Sequence, residues 1–396
     1  MSWKSIVSRA ESLLGGRAPA VDLSLLGKSE STLLIDRVRS LAATTNHKLV
    51  PVICAELQNN PHNNIKYPKW PAAFSTKSKT SMFPQSLLIP MVGQLCLEKI
   101  DVDLLVLHRK MGNIFATINL ALALHRTIAD LSVPQTEFDR DNWLKNMESG
   151  NNFAVLAGDI LLASASLELA SYRIPKVVET ISVAITDAVR AEFSDLMVEP
   201  AGNVTRSESV SLLKQWLDHI TLRHGSLLGE CCAATVVLNS PTTFNEKLSK
   251  TARHFGTTWA CLSRLIEERA FFNQMCILRC LGGDLPMVPH ITCILTSSCL
   301  RLKVSASNRP RTMTAIGFTE SGLPEPTLAD LCWISLEDDS EATKLYSYSM
   351  NSLSAQLQNA FRDLTRTKEA TDGVHALAKE SVDFLLSEAG CQNNCD

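Results

Sequence analysis

The 396-residue chain has no long run of lysine and arginine, and its 38 basic residues against 41 acidic ones leave a formal net charge of -3. That balance gives no global attraction to a polyanion, so nucleic acid is excluded as an electrostatic partner, as is an anionic membrane surface. No Cys-x-x-Cys pair occurs among the twelve cysteines. The looser spacings Cys276 to Cys280 and Cys391 to Cys395 lack histidines in zinc-finger order, which excludes a structural zinc. The cysteines are scattered through apolar, helix-patterned segments, so a reduced compartment and small buried hydrophobes are expected rather than a disulfide framework. No uninterrupted apolar stretch reaches the roughly 18 residues that a membrane span needs, and no transmembrane segment is expected. There is no repeat at a solenoid period and no low-complexity tail. Asn203-Val204-Thr205 has the form of a glycosylation sequon, but no signal peptide accompanies it.

What is present is the composition of a globular protein, 45% hydrophobic and 20% charged. Apolar residues recur at helical spacing over 3–14, 32–43, 175–193, 212–238, 342–364 and 373–386, and almost continuously from Ile118 to Leu124, as in a helix buried on most sides. Gly15-Gly16 supplies a stop for the first helix, and Pro175 stands at a tolerated first-turn position of another. The first segment has two readings. It is either a packed first helix or, since Lys4, Arg9 and Arg17 outnumber Glu11, a mitochondrial targeting helix. Irregular loops are expected near 58–90 and 305–328, where Pro, Asn, Gly and Ser gather.

The most specific stretch lies between Thr117 and Ala165. Gly150, Asn151, Ala154, Leu156, Gly158, Asp159, Leu161, Leu162 and Ala163 resemble the FGNKxAxLxGDxLLA segment of the trans-polyprenyl diphosphate synthase family. Phe255 to Glu268 resembles that family's second metal-binding helix, and Arg223 lies where a diphosphate-binding lysine is expected. The resemblance covers about residues 3 to 300. It implies an all-α isoprenoid synthase-type bundle around a central apolar cavity, with the whole of 1–396 as one domain assembled through helix faces near 90–130.

The same resemblance exposes departures. His125-Arg126-Thr127-Ile128-Ala129-Asp130 stands where active members carry HDDxxD. Carboxylates at i and i+4 share one helix face and jointly hold Mg2+, whereas an arginine repels it. Arg126 and Thr127 replace the aspartates, leaving Asp130. In the second motif Glu267 and Glu268 replace the aspartate pair, and a longer side chain moves the carboxylate outward. The basic motif that holds both diphosphates has no counterpart here; Lys66, Lys69, Lys77 and Lys79 read as a solvated loop face.

No catalytic residue and no metal ligand are therefore assigned, and no cofactor is expected on this chain alone. The resemblance implies a non-catalytic or regulatory subunit, inactive by itself, of a heteromeric decaprenyl-type synthase supplying the ubiquinone side chain in the mitochondrial matrix, although no clear transit peptide is seen. Its partner would be a catalytic polyprenyl diphosphate synthase subunit in a heterotetramer, with Mg2+, isopentenyl and allylic diphosphates bound at the complex. A helical prenyl- or lipid-binding protein without a synthase partner is the other reading, and an apolar tunnel opening at Ala121 to Leu124 would suit both. Gly158 inside a helix predicts close approach of a neighbouring helix. Asp159 in an apolar run predicts a buried, paired carboxylate, with Arg126 a candidate partner and a loss of about 3 to 5 kcal/mol on truncation.

Because several parts are missing together, the double substitution Arg126→Asp, Thr127→Asp is expected to restore no prenyl transfer. Product from isopentenyl and farnesyl diphosphates plus Mg2+ above a no-protein blank would contradict this.

Overall fold

The computed structural model describes residues 2–21, 83–125, 140–196, 217–280, 341–365 and 373–390. Expectations for 32–43, for 305–328, for 58–82 and for Arg126, Thr127 and Asp130 lie outside these residues. Every regular element among them is helical: α1 (Trp3–Leu13), α2 (Gln85–Leu95), α3 (Val102–His125), α4 (Arg140–Ser171), α5 (Pro175–Leu196), a π-helical turn (Thr221–Gly225), α6 (Ser226–Asn239), α7 (Glu246–Cys280), α8 (Glu341–Thr365) and α9 (Gly373–Glu388).

The centre is α6. All residues from Ser226 to Leu238 are buried, and α2, α3, α5 and α7 pack around this helix. A helix apolar on all sides is stable only when wrapped on all sides, so its sequence dictates its place. The crossing with α7 is close because glycines face it. A Cβ on Gly229 would stand 2.2 Å from Thr257 Oγ1 and 2.8 Å from the Arg253 carbonyl oxygen, and one on Gly256 would stand 3.0 Å from the Gly229 Cα.

The outer helices close the core. Trp3 of α1, 2% exposed, lies with its ring 4.6 Å from Phe384 of α9, 5.9 Å from Phe83 and 6.4 Å from Trp259 of α7. The Arg109 guanidinium of α3 donates to the carbonyls of Leu14, Gly16 and Arg17, satisfying groups at the end of α1 that have no partner within the helix. With Ile6, Ala10 and Leu14 fully buried too, α1 is the packed first helix of the two readings.

Two expectations change. The loop near 58–90 gives way to helix at Gln85, because Ser86 to Leu95 is a buried apolar run that outweighs the backbone bond lost at Pro90. The helix expected over 212–238 is interrupted at Thr221–Gly225, where the backbone widens into a π turn. Residues Ala121 to Leu124 are buried, so the tunnel mouth expected there is not open at these side chains.

Between α2, α3 and α6 lies a polar knot. His108 is fully buried. Its Nε2 donates to Asn239 Oδ1 at 2.8 Å and its Nδ1 accepts from Gln94 Nε2 at 3.2 Å, the pattern of a neutral ring. Asn239 Nδ2 in turn donates to the Gly93 carbonyl, and Gln94 bridges the Asp101 backbone through both its amide atoms. Burial pushes the imidazole down from 6.5 to about 4, opposed by the Asn239 bond, by Asp101 and by the Thr235 backbone. The unfolded chain thus binds a proton near pH 6.5 that the folded chain refuses until about pH 4. Stability is full above this window and is lost as pH falls through it. Between pH 7 and pH 5 the loss is expected to be about 2 kcal/mol. Urea unfolding at the two pH values measures it; a loss of the same size in His108→Gln would show that another group is responsible.

Candidate functional site

The site suggested by sequence would lie where the C-terminal end of α3 meets α4, with the π turn and the middle of α7 supplying the remaining groups. Asp130 and its neighbours lie outside the described residues, but their anchor is visible. His125, the last residue of α3, fits against Gly158 of α4 so closely that a Cβ there would stand 2.2 Å from Nε2. That nitrogen is 3.3 Å from the Val155 carbonyl and 3.4 Å from Asp159 Oδ1. Close approach at Gly158 is therefore a property of the α3–α4 packing.

Asp159 departs from expectation. It is 63% exposed at the side chain rather than buried, and its described partner is the His125 imidazole; Arg126 lies outside the described residues. The apolar run around it is amphipathic, with Ala154, Ala157, Leu161, Ala165 and Leu169 turned inward, and Asp159 falls on the outer side. A polar contact this exposed is worth about 0–1 kcal/mol, not the larger figure of a buried ion pair.

Gly150 and Asn151 both lie within α4 and are half-buried. Arg223 sits on the π turn, its Nη1 3.5 Å from His219 Nε2. The turn is held to α7 by Thr257 Oγ1 donating to the Gly225 carbonyl at 3.3 Å and by Thr221 Oγ1 at 3.7 Å from Cys261 Sγ. This places Arg223 next to the helix that bears Glu267. Glu267 itself is exposed and engaged with Arg264, whose Nη1 is 3.4 Å away. The side chain of Glu268 lies outside the described residues.

Among the described residues no three His, Cys, Asp or Glu side chains converge as metal ligands. A Mg2+ clamp needs carboxylates free to face a diphosphate, and the one described carboxylate of the second motif faces an arginine on its own helix.

Sequence reasoning passed over a buried ion pair. Glu230 on the central helix is 8% exposed; its Oε1 lies 2.6 Å from Arg253 Nε of α7, while its Oε2 has no hydrogen-bond partner. Burial pushes its carboxyl up, against the pull of Arg253. The signal was a lone acid inside Ser226-Leu227-Leu228-Gly229-Glu230-Cys231-Cys232. Nearby, Ser226 Oγ donates to Asp187 Oδ2 at 2.7 Å, joining α5 to the same corner.

A sequence model of the polyprenyl synthetase family matches residues 105–261, the span from α3 to the middle of α7. The mouse all trans-polyprenyl-diphosphate synthase PDSS2 is 27% identical over 238 residues, 60% of this chain and 55% of that protein. A probable mitochondrial hexaprenyl pyrophosphate synthase of Neurospora crassa is 34% identical over 138 residues, 35% of this chain and 30% of its own length. The chain thus spans about half the length of the mammalian relatives it matches. Among solved structures, a geranylgeranyl pyrophosphate synthase superposes with a TM-score of 0.53 at 12% identity, covering 99% of this chain and 100% of that one. An Arabidopsis medium/long-chain prenyl pyrophosphate synthase gives 0.52 at 16%, covering 78% and 89%. The fold is the all-α isoprenoid synthase fold.

Removing one member of the buried pair strands the other. Arg253→Met is expected to destabilise the chain by about 2–3 kcal/mol, below the range for fully buried pairs because Arg253 is 41% exposed. Adding Glu230→Met should recover most of that loss in urea unfolding. A double variant no more stable than Arg253→Met would show that Glu230 contributes packing rather than a stranded charge.

Proposed function

We propose that this chain, which matches the polyprenyl synthetase family over residues 105–261 and has the fold of solved prenyl synthases, is the non-catalytic subunit of a heteromeric all-trans-polyprenyl diphosphate synthase. Arg126 and Thr127 in the aspartate positions of an otherwise retained motif carry this reading. Head-to-tail prenyl transfer ionises an allylic diphosphate, which requires charge stabilisation of the leaving group and fixed placement of the isopentenyl double bond. A guanidinium at the first carboxylate position opposes the metal that performs the first task. Glu267, engaged with Arg264, does not replace it.

The bundle is nevertheless kept, with its buried centre and close helix crossings. A fold retained without its donor set serves assembly: it holds a catalytic subunit that carries Mg2+ and both diphosphates, within a heterotetramer. The mitochondrial compartment and the ubiquinone side chain as end use are supported by relatives that are decaprenyl and hexaprenyl synthases, two of them called mitochondrial.

A face available for assembly lies on α4. The sequence pointed to 90–130, where Ile100, Val102 and Val106 are exposed although Ser86 to Leu95 of α2 and most of α3 from Met111 onward are buried inside the chain. By contrast α4 packs mainly on α3 and leaves Leu156, Ile160 and Leu167 62%, 42% and 73% exposed. Its Gly150–Ser171 portion is also long and apolar enough to cross a membrane. The search for an uninterrupted run missed it because Asp159 and Glu168 break the run while its average stays apolar.

Two preparations test the proposal. The purified chain alone is expected to give no prenyl transfer with isopentenyl and farnesyl diphosphates and Mg2+, and the chain co-expressed with a catalytic subunit is expected to copurify with it and support turnover. Turnover by the chain alone would overturn the non-catalytic assignment.

A further inference from the structure

A cavity of about 540 Å³ opens between the start of α7 and the end of α8. Lys247, Lys250 and His254 line it from α7, and Asn359 and Asp363 from α8. Positions 247, 250 and 254 share one face of a helix, as do 359 and 363, so the two helices confront each other with polar side chains. These groups differ in what they have left to offer. Lys250 Nζ is engaged with Glu246 Oε1 at 2.7 Å, which cancels both charges. The Arg362 guanidinium donates to Asn359 Oδ1, which leaves the Asn359 Nδ2 free to donate. Among the described residues the side chains of Lys247, His254 and Asp363 make no hydrogen bond or ion pair. The cavity therefore has a cationic, donating side on α7 and a carboxylate acceptor across from it on α8.

We infer that this cavity binds a phosphate monoester carrying vicinal hydroxyls, the chemistry shared by sugar phosphates and nucleotides. Lys247 and His254 meet the phosphate, because charge-assisted hydrogen bonds are the strong ones and an imidazole has an N–H to give in either tautomer. Asp363 accepts from the hydroxyls, as an acidic side chain does with the ribose of a bound dinucleotide. Asn359 Nδ2 donates to their oxygens.

Other ligands fit less well. A prenyl chain needs an apolar wall, and Ala360 is the one apolar side chain of the described lining. A bare anion would satisfy α7 but meet the Asp363 carboxylate on the other side. A free amino acid would leave most of the space to water, since sites of about 300–1,000 Å³ hold considerably larger molecules. The cavity is also separate from the degenerate motif. At 1.5 Å per residue, Glu246 to His254 lie about 20–30 Å along α7 from Glu267, so nothing here depends on the subunit reading. A ligand that bridges α7 and α8 binds the folded chain alone and stabilises it.

Calorimetric titration of the full chain with ribose 5-phosphate, adenosine monophosphate and inorganic phosphate tests this, alongside the unfolding midpoint with each. At least one ester is expected to bind at one site per chain with a dissociation constant below about 1 mM and to raise the midpoint. Which of the two binds more tightly identifies the source of the ligand. Lys247→Gln with His254→Gln should weaken the ester about tenfold or more, whereas Lys247→Arg, which keeps the charge, should retain it. Asp363→Asn should weaken the ester severalfold and leave inorganic phosphate no weaker. All three side chains are exposed, so the unliganded midpoint of each variant should stay near that of the parent. Neither ester giving heat or a midpoint shift at about 10 mM, where binding tenfold weaker than expected would still register, overturns the proposal. Ester binding unchanged in the Lys247→Gln, His254→Gln variant also overturns it, because the ligand then sits elsewhere. Inorganic phosphate bound as tightly as the esters overturns it in favour of a plain anion site.

Discussion

Everything in this structure depends on covering α6. Thirteen consecutive buried residues from Ser226 to Leu238 cannot be left in water, since each fully buried Leu or Val side chain is worth about 1.5–3 kcal/mol. The chain covers them with α2, α3, α5 and α7. Contact with α7 is close enough that Gly229 and Gly256 nearly touch. The same constraint gives the few polar groups near α6 their importance. Asn239 fixes the His108 ring, Glu230 draws Arg253 across from α7, and Ser226 ties down Asp187. Each group stands where two or three helices meet and reaches a partner across the contact, although Glu230 keeps one carboxylate oxygen without a hydrogen bond. The thiols of Cys231, Cys232 and Cys261 lie in the same interior, where burial pushes all three up. They act as small hydrophobes, as their placement in apolar helices implied.

What a sequence can convey here follows from what its periodicity encodes. The starts of α1 and α5 were legible because their apolar residues repeat at helical spacing, and the buried stretch of α3 because its residues are apolar at nearly every position from Ile118 to Leu124. Gly158 was legible as a close approach because glycine is otherwise disfavoured in a helix. Asp159 was misjudged because its immediate neighbours are all apolar. Whether they face α3 or the outside is set by the direction of packing, which linear order does not carry. The start of α2 was hidden by Pro90, a breaker by rule, which the burial of a whole helix overrides. The π turn at Thr221–Gly225 has no composition of its own; it arises where the start of α6 is pinned to α7 through Thr257 and Cys261.

The site was legible in a different way. Arg126 and Thr127 were conspicuous as departures from a pattern, and so were Glu267 and Glu268. The structure adds what the motif could not show, that Glu267 is turned to Arg264. The most exposed apolar residues of α4, meanwhile, lie on the helix with the most recognisable motif.

The central claim is that this bundle keeps a prenyl synthase fold without a working metal clamp. Calorimetric titration of the isolated chain with farnesyl thiodiphosphate, which resists ionisation, tests it most directly when run with and without Mg2+. The account predicts that Mg2+ leaves the affinity unchanged, since an arginine stands in the first aspartate position and Glu267 is engaged. A tenfold or greater tightening on adding Mg2+ would contradict it, by showing that the chain assembles a metal–diphosphate site of its own.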